Sequence, residues 1–226
     1  MGLNEKTKHM NYDKKDRVKN FGEVFTSEKE VQNMLSLVED ETLRIDSRFL
    51  ETACGQGIFL EKILIKKIKL IEEKYKSSQI EYEKYLLQAI TNIYGIEILE
   101  DNVNTCRTNL FKIIEQNYKK IFNKSYKDKY LKNVKFILSK NIVWGDALSY
   151  KSKPDNKSII FSEWSFVSEG LIKRMDYSFS DLISYQPFEK GTLFSDLGEK
   201  VIIPDPIQSY KPIHYLDLEN YVPEKL

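Results

Sequence analysis

Three places in the chain pair an acidic residue with glycine in a way that serves ligand chemistry. Glu51 stands four residues before Gly55-Gln56-Gly57, Glu97 closes Ile93-Tyr94-Gly95-Ile96, and Asp146 follows Gly145. Glycines after a strand let a backbone approach a ligand closely and leave free amides at the start of a helix. A carboxylate at the end of the next strand can accept both hydroxyl protons of a ribose, or simply cap a helix. An Asp at a third strand end can accept from an adenine amino group, or bend its own backbone into a turn. None of the three is specific alone; their order is. A nicotinamide dinucleotide site asks for a third glycine three residues after Gly57, where Leu60 stands, and no Gly-Lys-Ser/Thr of a phosphate-binding loop occurs.

These residues need elements to hold them. Residues 48–52 form a short apolar run that breaks into the glycine turn, as a strand does, and the β-branched run 93–98 predicts a second strand. Ile58, Phe59, Ile63, Ile65 and Ile68 predict a long helix after the turn, broken near Ser77-Ser78, with a second helix over 82–90. Val103, Cys106, Leu110, Ile113 and Ile114 mark a helix stripe on which Cys106 is a packing residue. Residues 115–132 continue that helix or form a solvated loop. The alternation Val134-Lys135-Phe136-Ile137-Leu138 predicts a third strand, 142–148 a short extended piece ending in a turn, and 158–161 a fourth strand. Upstream, Ser27 and Glu30 frame a capping box for a helix of about ten residues starting near Glu28. Residues 179–183 suggest a short helix, 193–203 a hairpin, and four prolines from Pro204 to Pro223 an extended tail. Strands alternating with helices predict an α/β fold, a parallel sheet with helices on both faces.

Composition limits the choices. The 226 residues suit one domain; 41% hydrophobic residues suffice for a core, and a net charge of +1 leaves no global polyelectrolyte field. Two cysteines and two histidines argue against a disulfide framework and a metal centre. No apolar run reaches membrane-spanning length and the first residues lack a signal-peptide core, so the expected location is the cytoplasm. Residues 1–20 carry six Lys/Arg against three acids and predict a basic flexible arm; residues 111–140 carry nine Lys against two acids, a solvated face or a nucleic-acid contact.

With those motifs in order, the chain resembles the S-adenosylmethionine-dependent DNA adenine-N6 methyltransferases of restriction-modification systems. The resemblance covers roughly residues 20–150. Gly22-Glu23-Val24-Phe25-Thr26-Ser27 resembles the family's Gly-Glu-x-Phe-Thr-Pro segment. Residues 51–60 resemble its Asp-Pro-Ala-Cys-Gly-Ser-Gly-x-Phe-Leu motif, 92–98 its ribose-binding segment, and 141–148 its Gly-Asp-Ala segment. The resemblance implies a Rossmann-like methyltransferase sheet, shortened relative to the family, with a C-terminal β-hairpin. It implies that Phe25 and Thr26 contact the amino-acid end of the cofactor, that Ala53, Gly55 and Gly57 line its methionine, and that Glu51 is a further cofactor-binding residue. Glu97 takes the ribose, Ile98 the adenine face, and Asp146, beside Ala147, the adenine amino group.

The family carries a polar residue, Pro-Pro and an aromatic after the fourth strand, where the target base is flipped and its amine held. No Pro-Pro occurs here; Ser162 and Trp164 stand at that place and are the expected catalytic pair. The expected division is an arm over 1–20, a cofactor-binding domain over 21–161, and a hairpin and tail over 162–226. The expected function is methyl transfer to DNA adenine from S-adenosylmethionine, with DNA reached directly or through a partner subunit or homodimer, and with no membrane or metal. The alternatives are an inactive cofactor-binding relative that serves as a subunit or regulator, and a methyltransferase for RNA or a small molecule.

Overall fold

The computed structural model describes residues 27–168, 170–184 and 204–224. The basic arm, Phe25, Thr26 and the hairpin expected at 193–203 lie outside the described residues.

Helix α1, Glu28–Leu37, starts as the sequence dictates: the Ser27 hydroxyl accepts from the Glu30 amide while the Glu30 carboxylate accepts from the Ser27 amide. A short helix α2, Glu39–Thr42, leads to strand β1, Phe49–Glu51. Helices α3, Ile58–Tyr75, and α4, Gln79–Thr91, carry the chain to β2, Ile93–Glu97. Helices α5, Glu100–Phe122, and α6, Asp128–Asn141, carry it to β3, Ile142–Asp146. β1, β2 and β3 are parallel neighbours, with the two-residue β4, Lys151–Ser152, antiparallel on β3. The architecture is mixed α/β around a sheet whose principal strands are parallel.

The third strand falls at 142–146, not at 134–138, which lies inside α6. Period two and period 3.6 both pass through that stretch. The wider stripe Tyr130, Leu131, Val134, Ile137 and Leu138 is the buried one, and it is helical. Asn141, at the end of α6, then ties two elements together. Its Nδ2 donates to the carbonyls of Ile90, Thr91 and Ile93, and its Oδ1 accepts from the indole of Trp164.

Among the described residues, the long helices α3–α6 all pack on one face of the sheet. Phe49, Ile93 and Ile142 point into one cluster with the apolar stripes of α3, α4, α5 and α6. The other face presents Tyr94, Ile96 and Val143, and packs against Ile159, Phe161 and Phe179. The chain after β3 explains this. In place of a further crossover it forms a long antiparallel hairpin of β5, Ile160–Ser168, and β6, Leu171–Ser178, followed by the one-turn helix α7, Phe179–Ser184. The fourth strand is therefore a hairpin strand, outside the parallel sheet. β7, Gln208–Ser209, and β8, Ile213–His214, pair with β6. Trp164, Ile172, Tyr215 and Leu218 belong to the same core as the helices, so β5, β6 and the described C-terminal residues pack into the body. No helix among the described residues is long and apolar enough to cross a membrane.

Candidate functional site

The carboxyl ends of β1, β2 and β3 bring Glu51, Glu97 and Asp146 to one edge of the sheet. β1 passes through exposed Thr52 and Ala53 into the glycine turn, where the Cys54 amide donates to the Ile96 carbonyl and the Gly57 amide to the Cys54 carbonyl. Gly55 has φ +51° and Gly57 φ +92°, the left-handed region that glycine enters without a Cβ penalty. Their surroundings differ. A Cβ on Gly57 would meet Cys106 Sγ at 2.6 Å, whereas a Cβ on Gly55 would meet nothing within 4 Å. Gly57 is needed for packing between the turn and α5; Gly55 faces space that a ligand can fill.

Glu97 locks this turn. One carboxylate oxygen accepts from the Gly55 amide at 2.8 Å, and the other from the Leu99 amide at 2.9 Å, which caps α5 where Leu99 itself offers no side-chain cap. Each oxygen keeps a lone pair, so the carboxylate still has acceptor capacity for two hydroxyls. Glu51 shares its sheet face with Glu97, because its register partner on β2 is Gly95, two residues before Glu97. Glu51 Oε2 is buried without a hydrogen-bond partner. Burial and, secondarily, the Glu97 charge push the Glu51 carboxyl up to about 7. A buried carboxylate oxygen left unpaired costs free energy in the empty protein, and is a recognised mark of a site that awaits a ligand.

Asp146 is the last residue of β3, just before the turn. Its Oδ1 accepts from the Leu148 amide at 3.0 Å, the main reason its carboxyl lies below the ordinary range, and its Oδ2 lies 3.9 Å from Lys153. Ala147 packs beside Ile96 and Ile159. The Ile98 carbonyl accepts from the Trp144 indole at 3.0 Å, which fixes the β2–α5 turn against β3. Asn109 on α5 donates to the Gln56 carbonyl and steadies the glycine turn from the side. Trp144 and Asn109 were not singled out from sequence. Trp144 had a visible signal, two residues before Asp146 on the same strand face; Asn109, an ordinary polar helix residue, had none.

The structure does not bring Ser162 and Trp164, the expected catalytic pair, to this edge. Ser162 is buried and donates to Asp176 Oδ1 while accepting from Arg174 Nε. Trp164 is buried and its indole is held by Asn141, the residue before β3. Glu163 between them pairs with Arg48, the residue before β1. β5 thus carries these residues to the amino ends of the parallel strands, the opposite end from Glu51, Glu97 and Asp146. Among the described residues no group of three or more His, Cys, Asp or Glu side chains is arranged for a metal ion. Comparison of the chain with family models, with curated proteins and with solved structures finds no match.

Proposed function

We propose that the chain binds S-adenosylmethionine at the carboxyl ends of β1, β2 and β3 and belongs to the methyl-transfer chemistry of DNA adenine-N6 modification. The observation that carries this reading is the combination at the glycine turn: a Gly55 amide fixed by Glu97, open space over Gly55, and a buried Glu51 oxygen with no partner. The cofactor carries a ribose diol for Glu97, an adenine amino group for the Asp146 carboxylate, and a positively charged methionine end for Glu51. Its sulfonium is itself the activated methyl donor, so the protein's task is to align an amine with it and exclude water. Glu51 and Glu97 hold and orient the cofactor in this reading; no residue is assigned to the methyl acceptor.

A second reading, a cofactor-binding subunit that transfers the methyl group only with a partner, is favoured by the position of Ser162 and Trp164 at the far end of the sheet. Transfer of a tritiated methyl group to unmethylated DNA separates the two. Label incorporated above the Asp146→Ala control establishes the first reading. Cofactor binding without label establishes the second. Absence of cofactor binding overturns both.

A further inference from the structure

Glu51 is one carboxyl of a close pair, and the two carboxyls are treated very differently by the fold. Both Glu97 oxygens receive backbone N–H donors, while Glu51 Oε2 receives none and is shut away from water. Among the described residues, the groups that act on Glu51 supply no positive charge. β2 offers Glu97, and the turn offers the Cys54 thiol, held far above its ordinary range by its hydrogen bond with Cys106 of α5 and by burial. From α3, Lys67 reaches the other end of β1, where it donates to the carbonyls of Ile45 and Ser47. Among the described residues, Glu97 supplies the charge that acts on Glu51, and it is repulsive.

Resting on the cofactor reading above, we propose that Glu51 makes the site selective for ligands that carry a positive charge, and that their entry is coupled to release of one proton from the Glu51 carboxyl. Below about pH 7, without a ligand, the proton stays on Glu51, because ionisation would put two like charges side by side in a poorly solvated setting. A cationic ligand changes that balance. The neutral carboxyl becomes a carboxylate paired with the ligand's ammonium or sulfonium, and the proton passes to solvent; no bond in the ligand is made or broken. Affinity for a cation therefore falls about tenfold for each pH unit below the Glu51 value of about 7, whereas a neutral nucleoside gains nothing from ionisation. The geometry thus adds a requirement of charge to the shape and hydrogen-bond requirements of Glu97 and Asp146.

The test is calorimetric titration at about pH 6 in two buffers of different ionisation enthalpy, which counts the protons released on binding. The ligands are S-adenosylmethionine and neutral 5′-methylthioadenosine, each run on the wild-type chain and on Glu51→Gln. The expected result is release of close to one proton with S-adenosylmethionine, none with the neutral nucleoside, and none with either ligand on Glu51→Gln. Binding of S-adenosylmethionine without proton release overturns this inference and leaves the cofactor reading standing. Release that persists in Glu51→Gln also overturns it. No binding of S-adenosylmethionine to the wild-type chain from pH 6 to about pH 8 sinks the cofactor reading itself and this inference with it. Should the variant fail to fold, the proton count on the wild-type chain with the two ligands still decides.

Discussion

Two glutamates, each with an oxygen shut away from water, divide this molecule. Glu83, on α4, is fully buried and completely satisfied: it accepts from the hydroxyls of Tyr118 and Tyr215, from the Gln79 amide, and from the Lys127 ammonium at 2.8 Å. It joins α4, α5, the start of α6 and the C-terminal segment at one point. Glu51, at the end of β1, is half-buried, with one oxygen shut away and unpaired and another carboxylate beside it. The first has every partner within the chain, so it serves the fold. The second has an oxygen with no partner among the described residues, which supports its proposed role toward a ligand. A buried ionisable group with its own cation and donors is a structural device; one that faces a like charge at a strand end marks a binding site.

The comparison predicts opposite responses to mutation. The largest effect belongs to Glu83→Ala, which strands two tyrosine hydroxyls and a lysine. It should destabilise the fold by about 3–5 kcal/mol in urea unfolding, with ligand affinity of the folded fraction unchanged. A loss below about 1 kcal/mol would remove the contrast. Glu51→Gln should do the reverse. The folded protein holds the Glu51 proton up to about pH 7, against an ordinary value of 4.5, so wild-type stability falls as pH rises through that window. The variant loses that penalty and should be more stable than wild type by about 2 kcal/mol at pH 8, with little difference below pH 4.5. Lys67, which burial pushes down to about 7, titrates in both proteins, so its contribution cancels from the difference.

The glycines sharpen the same division at smaller magnitude. Gly57→Ala drives a methyl group into Cys106 at a left-handed backbone position and should cost about 2 kcal/mol by thermal unfolding. Gly55→Ala meets open space and should cost only about 1 kcal/mol, yet weaken S-adenosylmethionine about tenfold or more because its methyl group fills the ligand's side of the turn. The smallest effect belongs to Ser162→Ala, about 1 kcal/mol from a lost contact to Asp176, with no change in cofactor affinity. A change of affinity in Ser162→Ala would place β5 at the site after all.

Much of the parallel half was legible in the sequence because local signals agreed with the fold. The capping box at Ser27, the glycine turn, the acid at the end of β2 and the Gly-Asp at the end of β3 each have a short-range mechanism. The failures have non-local causes. Residues 134–138 carry two periodicities at once, and only packing of Tyr130, Val134 and Ile137 against the other helices decides for the helix. Ser162 was aligned by order along the chain. What positions it is the hairpin register with Asp176 and the hold of Asn141 on Trp164, contacts that no local pattern encodes. The unpaired oxygen of Glu51 was equally invisible, since its meaning depends on Gly95 opposite and Glu97 two residues further along β2.

The central claim is that the strand ends bind S-adenosylmethionine. Calorimetric titration of the wild-type chain with S-adenosylmethionine, NAD and ATP at about pH 8, where Glu51 is ionised, tests it most directly. The account predicts one saturable site for S-adenosylmethionine, no comparable heat for NAD or ATP, and affinity reduced about tenfold or more by Asp146→Ala. Equal binding of all three nucleotides, or S-adenosylmethionine affinity indifferent to Asp146→Ala, would contradict it.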